Sequence, residues 1–252
     1  MIDTEAQYAV DARDGAPATR RVPYDVSMPA HVMFDLFHTL VHGADEERDR
    51  VVSEMAIMVH VPPAALVQAY HHTWRQRLTE WSVEETIRIL AERLGGHPSP
   101  SDVARAAAHR RALAVRVLAD VNPTTLEQLD RLRGHGVRLA LVSNATADTA
   151  EAWPDSPLAA RFDVAVFSSD LGAAKPDPEI YRAAASALGA APGECLYVGD
   201  GADGELAGAA TLGMRVVRTT ELRDTDPSWP GPTIAARAEL PALLFPTQPA
   251  IA

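Results

Sequence analysis

The chain has 252 residues, of which 47% are hydrophobic and 23% charged, with a formal net charge of −11 at pH 7. Such values are typical of a globular protein with one large or two modest domains. The acidic balance argues against nucleic acid or an anionic membrane as a partner. The start of the chain lacks the basic and apolar segments of a secretory signal, so we expect a cytoplasmic protein.

An apolar run over about 30–35, which ends in Asp35, is the first ordered element that the sequence predicts. Residues 1–28 before it lack periodicity, which predicts a flexible N-terminal extension. Continuous apolar runs indicate buried strands of a parallel sheet. An acid at the end of such a strand lies in the crevice where open α/β sheets bind ligands. Asp35 is therefore a candidate site residue, although an isolated Asp there would more simply begin a turn.

Residues 45–120 have a helical pattern throughout. The first helix begins at Asp45, and a second is predicted over 63–80. A capping-box pattern at Ser82 opens a third helix, and Ser99 or Ser101 begins a fourth that runs to about Ala119. The sequence therefore predicts an all-helical insert over 45–120. Its aromatic and basic side chains either line a substrate pocket or belong to the core and the solvated surface.

Helices and strands alternate after residue 122, which indicates parallel βαβ units. The predicted strands cover 137–142, 164–167, 195–199 and 214–218, and the predicted helices cover 125–133, 178–188 and 239–244. We therefore predict an α/β fold with a Rossmann-like parallel sheet as its core.

Polar side chains recur where these strands end: Asp35, Ser143, Lys175 after the third strand, and Asp200 followed by Glu205. Lys175 is the only lysine among the 23 basic residues. The set suits attack by a carboxylate on an electrophile that carries negative charge. Asp35 would be the nucleophile, Ser143 and Lys175 would hold the anion, and Asp35 with Asp200 would supply oxygens to Mg²⁺.

Four segments resemble the motifs of the haloacid dehalogenase-like hydrolases. They are Asp35-Leu36-Phe37-His38-Thr39-Leu40, Leu141-Val142-Ser143-Asn144, Lys175-Pro176-Asp177-Pro178-Glu179-Ile180-Tyr181, and Val198-Gly199-Asp200 with Glu205. The resemblance implies a Rossmann-like core of residues 29–44 and 121–252, with 45–120 as a helical cap. It also implies that the Phe37 carbonyl binds Mg²⁺, that Thr39 orients the site, and that Ser143, Asn144 and Lys175 bind phosphate. Glu205 would act behind these groups, near the metal waters or Lys175.

Phe37 departs from the phosphatase pattern of the family, which places a second acid two residues after the nucleophile. Related dehalogenases have an aromatic residue there, but they need no metal and lack a pair like Gly199-Asp200. We predict a Mg²⁺-dependent phosphatase of small molecules, monomeric or homodimeric, that forms an aspartyl-phosphate on Asp35. A 2-haloacid dehalogenase-like hydrolase and a catalytically weak binding protein are the alternatives. His38 and His42 are candidate replacements for the missing acid.

Overall fold

A single parallel sheet forms the centre of the molecule in the computed structural model, which describes residues 30–244. The described strands are β1 (His31–Phe34), β2 (Arg138–Ser143), β3 (Val164–Phe167), β4 (Cys195–Gly199), β5 (Arg215–Thr219) and β6 (Thr233–Ile234). Their order is β3-β2-β1-β4-β5-β6, and all neighbours are parallel. The predicted Rossmann-like α/β fold is confirmed. The predicted extension, 1–28, lies outside the described residues.

Residues 45–119 contain helices and no strand. The helices are α1 (Asp45–Met58), α2 (Pro63–His72), α3 (Trp74–Thr79), α4 (Val83–Arg93) and α5 (Pro100–Ala119). Ser82 and Ser99 begin α4 and α5 in capping boxes, in which each hydroxyl accepts from an amide three residues later. Val52, Ile87 and Leu113 belong to an apolar cluster that these helices share. The division into a cap over 45–120 and a core over 29–44 and 121–252 remains a prediction.

The remaining helices accompany the sheet. They are α6 (Pro123–Gly134), α7 (Ala147–Ala152), α8 (Ser168–Leu171), α9 (Pro178–Leu188), α10 (Glu205–Thr211) and α11 (Leu240–Leu244). Phe34 and Leu141 pack in one apolar layer, whereas Met33 and Val142 pack in a second. This alternation follows because successive strand side chains point to opposite faces. Among residues 30–244, no helix is both long and apolar enough to cross a membrane.

The prediction of one helix over 63–80 is wrong, because the chain breaks between α2 and α3 at Thr73. The Thr73 hydroxyl donates to the Ala69 carbonyl at 2.8 Å. The buried Arg77 guanidinium donates from Nη2 to the Tyr70 carbonyl at 2.8 Å and from Nε at 3.1 Å. That carbonyl would otherwise accept from a main-chain amide of the continuing helix. Side-chain bonds of this kind compete with the regular helical pattern.

The order of the strands brings the predicted site residues to one edge of the sheet. Phe34, at the end of β1, pairs with Leu141 of β2 and with Val198 of β4. The amide of Asp35 then donates to the Val198 carbonyl at 2.9 Å, which extends the pairing by one residue. The carboxyl ends of β2, β1 and β4 are thus adjacent, and the residues that follow them share one crevice.

Candidate active site

Lys175 forms buried ion pairs with two carboxylates, one directly after β1 and one at the start of α10. Its Nζ lies 2.5 Å from Asp35 Oδ1 and 2.5 Å from Glu205 Oε2. The Nζ also donates to the Tyr197 phenol at 3.2 Å, and that phenol donates to Glu205 Oε2 at 2.6 Å. Each of the three ammonium protons therefore has an acceptor. The side chains of Asp35, Lys175 and Glu205 are at most 7% exposed, so water screens these charges little.

Asn144 fixes the main chain that carries Lys175. The Lys175 amide donates to Asn144 Oδ1 at 2.7 Å, and Asn144 Nδ2 donates to the Lys175 carbonyl at 3.1 Å. Nδ2 also donates to Asp203 Oδ2 at 2.9 Å. Asn144 was predicted to bind phosphate, and its side-chain amide contacts the protein at both ends. Its contact with phosphate remains a prediction.

The donor set beside Asp35 suits a divalent cation. Asp35, Asp200 and Glu205 each offer a carboxylate oxygen, and the three oxygens lie within 4.8 Å of one another. Asp200 accepts from the Ala202 amide at 3.2 Å and from the Thr225 hydroxyl, and is fully buried. Hard carboxylate oxygens at this spacing are the ligands that Mg²⁺ or Ca²⁺ takes. Glu205 Oε1 accepts from the Gly201 amide at 3.0 Å, so both of its oxygens already have protein partners.

Burial in this cluster raises the pKa of Asp35 from 3.8 to about 7. Burial is the main cause, Lys175 opposes it, and Glu205 and Asp200 reinforce it. Burial by itself would lower the pKa of Lys175, but Asp35 and Glu205 outweigh that effect and raise it. Lys175 therefore remains an ammonium at any physiological pH. Asp35 is poised between its two protonation states unless more positive charge reaches the site.

The loop after β1 turns sharply and presents Phe37 to the crevice. The His38 amide donates to the Val41 carbonyl at 2.7 Å, and the Leu40 amide donates to the Leu36 carbonyl at 2.8 Å. His38 has a φ of 59°, in the left-handed region. The same loop buries Thr39, whose carbonyl accepts a bond from the Arg237 guanidinium.

Two buried hydroxyls of the predicted site have no hydrogen-bond partner among the described residues. They are Ser143 Oγ, at the end of β2, and Thr39 Oγ1. Both residues are 0% exposed. Buried polar atoms nearly always have a partner, so an unpaired one indicates a place for a ligand or water. For Ser143 this agrees with its predicted contact to an anion.

A cavity of about 260 Å³ opens at the edge of the sheet and lies between the sheet and the helices of residues 45–119. Asp35, Phe37 and Lys175 line it from the sheet, and helices α3 and α5 supply Trp74 and Arg110. The volume is slightly below the usual range of about 300–1,000 Å³ for small-molecule sites. The arrangement can therefore enclose a small substrate with its electrophilic atom next to Asp35.

A family model of the haloacid dehalogenase-like hydrolases matches residues 29–213. The chain belongs to this family. A phosphoserine phosphatase of Thermus thermophilus is 31% identical over 173 residues, which are 67% of this chain and 68% of that protein. The (S)-2-haloacid dehalogenase 4A of Burkholderia cepacia is 29% identical over 167 residues, 61% of this chain and 71% of that protein.

Solved structures agree with this assignment at the level of the fold. CbbY from Rhodobacter sphaeroides in complex with phosphate aligns with a TM-score of 0.58 at 22% identity. The alignment covers 84% of this chain and 96% of that one. The predictions of family membership and of hydrolase activity are confirmed, and the relatives of this hydrolase include both phosphatases and a dehalogenase.

The contacts of two residues near the site, Tyr197 and Arg237, were not predicted from the sequence. Tyr197 binds both Lys175 and Glu205, but its position within an apolar strand gave no signal beyond β-propensity. Arg237 donates to the Thr39 carbonyl and pairs with Glu221 at 2.8 Å. It lies in a Pro-rich stretch 198 residues after Thr39, and no local pattern links the two.

Of the two histidines proposed as replacements for the missing acid, His38 lines the cavity. Its Nε2 lies 3.0 Å from Arg223 Nη1 and 3.4 Å from Asp45 Oδ2. Burial is the first cause of a lowered pKa for His38, with Asp45 opposing and Arg223 reinforcing it. His42 is not among the residues that line this cavity.

Proposed function

We propose that this hydrolase is a Mg²⁺-dependent phosphatase of small phosphorylated molecules that uses Asp35 as its nucleophile. The observation that carries the proposal is the buried Asp200 beside Asp35. Three buried carboxylates face a single ammonium in this cluster. Uncompensated buried charge is costly, and a hard divalent cation at Asp35 and Asp200 removes the excess. The family resemblance implies the Phe37 carbonyl as a further ligand.

Each residue of the cluster has a part in the proposed phosphoryl transfer. An Asp35 carboxylate oxygen attacks phosphorus, the bond to the leaving oxygen breaks with its electron pair, and an aspartyl-phosphate forms. Ser143 Oγ donates to one phosphoryl oxygen, and Lys175 Nζ donates to another in place of its 3.2 Å bond to the Tyr197 phenol. Water then attacks phosphorus and releases Asp35 and inorganic phosphate. A bound Mg²⁺ would supply positive charge that offsets the phosphoryl oxygens and lowers the pKa of Asp35.

The other parts of the site hold these groups in place. Glu205 and Tyr197 orient the Lys175 ammonium, and Thr39 with the loop after β1 orients Asp35. Residues 45–120 act as a cap in this proposal, since α3 and α5 close the cavity over the core. The cap then selects the organic part of the substrate.

Dehalogenation is the second candidate, because Phe37 is aromatic and a dehalogenase is among the relatives. The two activities make opposite predictions for metal removal. We expect the protein to release phosphate from phenyl phosphate with Mg²⁺, to lose this activity in EDTA, and to leave 2-chloropropionate intact. Chloride release that persists in EDTA would establish the dehalogenase instead. Binding of phosphate esters without turnover of either class would indicate the catalytically weak protein.

Replacing Asp200 by Asn should abolish the metal-dependent activity. The change removes a carboxylate ligand but preserves the size of the side chain. Mutation of groups that only orient metal ligands lowers metal affinity or activity by about 10- to 100-fold. Loss of a ligand itself should therefore lower kcat/KM by at least about 100-fold. Isothermal titration of Mg²⁺ into the variant should show weakened binding. Asp155→Asn, at an exposed position outside the cavity, is the matched control, and equal activity of the two variants would exclude Asp200 as a ligand.

Phe37 sets the range of leaving groups in this proposal. No carboxylic acid stands there to protonate the leaving oxygen, so aryl and acyl phosphates should react far faster than alkyl phosphates. Phe37→Asp should raise kcat for an alkyl phosphate by about tenfold or more, since general acid catalysis contributes roughly 10²–10⁴-fold. Phe37→Asn, which leaves a similar cavity but has no acidic proton for the leaving group, is the control.

The loss of the ring does not affect this comparison, because both Phe37 variants lose it equally; thermal melts verify that they are folded. If wild type hydrolyses alkyl and aryl phosphates at similar rates, with chemistry limiting, then another group supplies the proton. That result would contradict the explanation given for Phe37.

A further inference from the structure

The arginines that line the cavity are all paired with carboxylates. Arg48 Nη1 donates to Asp45 Oδ1 at 3.0 Å, and Arg223 Nη1 donates to Asp45 Oδ2 at 2.7 Å. Arg110 is 8% exposed, and its Nη1 lies 2.8 Å from Asp148 Oδ2. Each arginine that lines the cavity therefore already has a carboxylate partner.

A third aspartate, Asp203, belongs to the same region. Asp203 lines the cavity and accepts from the Asn144 amide. Three arginines thus face three aspartates in and behind the wall (Arg48, Arg110, Arg223; Asp45, Asp148, Asp203). Arg48 and Arg223 share Asp45, and Arg110 pairs with Asp148, so a second anionic group of a substrate, such as a carboxylate or another phosphate, would have to compete with these carboxylates for an arginine. Binding such a group would require breaking one of these pairs, which is unfavourable where the pair is buried.

An apolar face of α5 occupies the rest of the wall. Its residues lie at helical spacing on one side of the helix and continue the line of Arg110 toward the sheet: Leu113, Ala114, Val117 and Leu118. The rings of Phe37 and Trp74 line the same cavity. We call the four α5 residues the α5 apolar face. Val115, on the same helix, is 51% exposed and is not part of the wall.

We propose that the substrate is a phosphate monoester whose organic group is uncharged and apolar, and that this group lies against the α5 apolar face. The proposal rests on the phosphatase function proposed above and names its substrate class. The phosphoryl group faces Asp35 and Lys175, beside the buried Ser143 hydroxyl, which has no hydrogen-bond partner within residues 30–244. The α5 apolar face then takes the leaving group, and the paired arginines close the polar side of the cavity.

A pair of aryl phosphates tests this assignment without changing the leaving-group chemistry. Para-propylphenyl phosphate and para-(carboxyethyl)phenyl phosphate have similar size and similar phenol acidity, but the second carries a carboxylate. We expect kcat/KM with Mg²⁺ to be about tenfold or more higher for the propyl compound, because a buried charge without a partner is strongly unfavourable. Phosphoserine should be a poorer substrate than either.

Val117→Thr places a hydroxyl on the α5 apolar face with little change in shape. It should lower kcat/KM about fivefold for the propyl compound and change the value for the carboxyethyl compound by less than twofold. Val115→Thr, the matched control, should alter neither. Equal or faster hydrolysis of the carboxyethyl compound by wild type would overturn this inference alone. Failure to hydrolyse either ester with Mg²⁺ would overturn the proposed phosphatase function as well.

Discussion

Asp35→Asn is expected to lower phosphatase kcat by at least about a thousandfold, since the variant keeps the shape of the side chain but has no nucleophilic anion. Asp35 Oδ1 lies 2.5 Å from Lys175 Nζ in a nearly solvent-free cluster. The nearest other carboxylates, Asp200 and Glu205, are bonded to Thr225, Tyr197 and main-chain amides, so neither is positioned to replace it. Retention of more than a few per cent of wild-type turnover by folded protein would rule out Asp35 as the nucleophile. Peptide mass spectrometry excludes deamidation back to Asp.

The free energy of unfolding of the same variant should depend less on pH in the absence of divalent cations. The pKa of Asp35 is about 7 in the folded protein, above its usual value of 3.8. Between these values the unfolded chain has released the proton and the folded chain retains it. The free energy of unfolding therefore falls as pH rises through this window, and Asn cannot contribute to that fall. Urea melts in EDTA at pH 5 and pH 8 should show a smaller loss for Asp35→Asn than for wild type.

Lys175→Arg is expected to fail nearly as completely as Lys175→Ala, with kcat lowered by about 100-fold or more in both. The three protons of the ammonium reach Asp35, Glu205 and Tyr197 within one small buried space. A planar guanidinium is larger and directs its donors differently, so it cannot satisfy the same three acceptors. Wild-type rates in the arginine variant would show that positive charge alone is sufficient there.

The two lysine variants should differ from wild type in stability as well as in rate. Removing one partner of a buried ion pair leaves its carboxylates without compensation and costs about 3–5 kcal/mol. We therefore expect Lys175→Ala to unfold at lower denaturant concentration than Asp35→Asn, and Mg²⁺ to recover part of the difference by binding the folded state. Arg138→Ala, at a largely exposed strand residue, controls for the loss of a cation elsewhere. A Lys175→Ala variant as stable as this control would contradict the electrostatic description of the cluster.

The sequence predicted the sheet and its edge well because both depend on local patterns. Continuous apolar runs define β1, β2 and β4, and the residue after each run falls at the carboxyl edge whatever the detailed packing. The parallel order then brings Asp35, Ser143 and Asp200 together. The solitary Lys175 stood out on composition alone, and the structure places it in contact with Asp35 and Glu205, whereas the roles that the family resemblance implies for them stay predictions.

The features that the sequence did not predict depend on contacts between distant residues. The break at Thr73 follows from the hydrogen bond that the Arg77 side chain donates to the Tyr70 carbonyl. The hydrophobic periodicity of the sequence does not predict such a bond. The short β6 exists through pairing with β5 near Arg218. Arg237 reaches the Thr39 carbonyl through the fold rather than along the chain. The pairing of Arg110 with Asp148 and of Arg223 with Asp45 in the cavity wall likewise depends on the fold and not on a local pattern.

Transfer of the phosphoryl group to Asp35 is the central claim, and acid quenching of a single turnover tests it directly. The protein is mixed with ³²P-labelled phenyl phosphate and Mg²⁺, quenched within the first turnover, digested and mapped. Phe37 offers no base to activate water, so the intermediate should accumulate and phenol should appear in a burst of about one equivalent per site. We expect label on the peptide that contains Asp35, and no label in Asp35→Asn or in EDTA. Release of phosphate by wild type with no covalent label, or with label on a different residue, would contradict it.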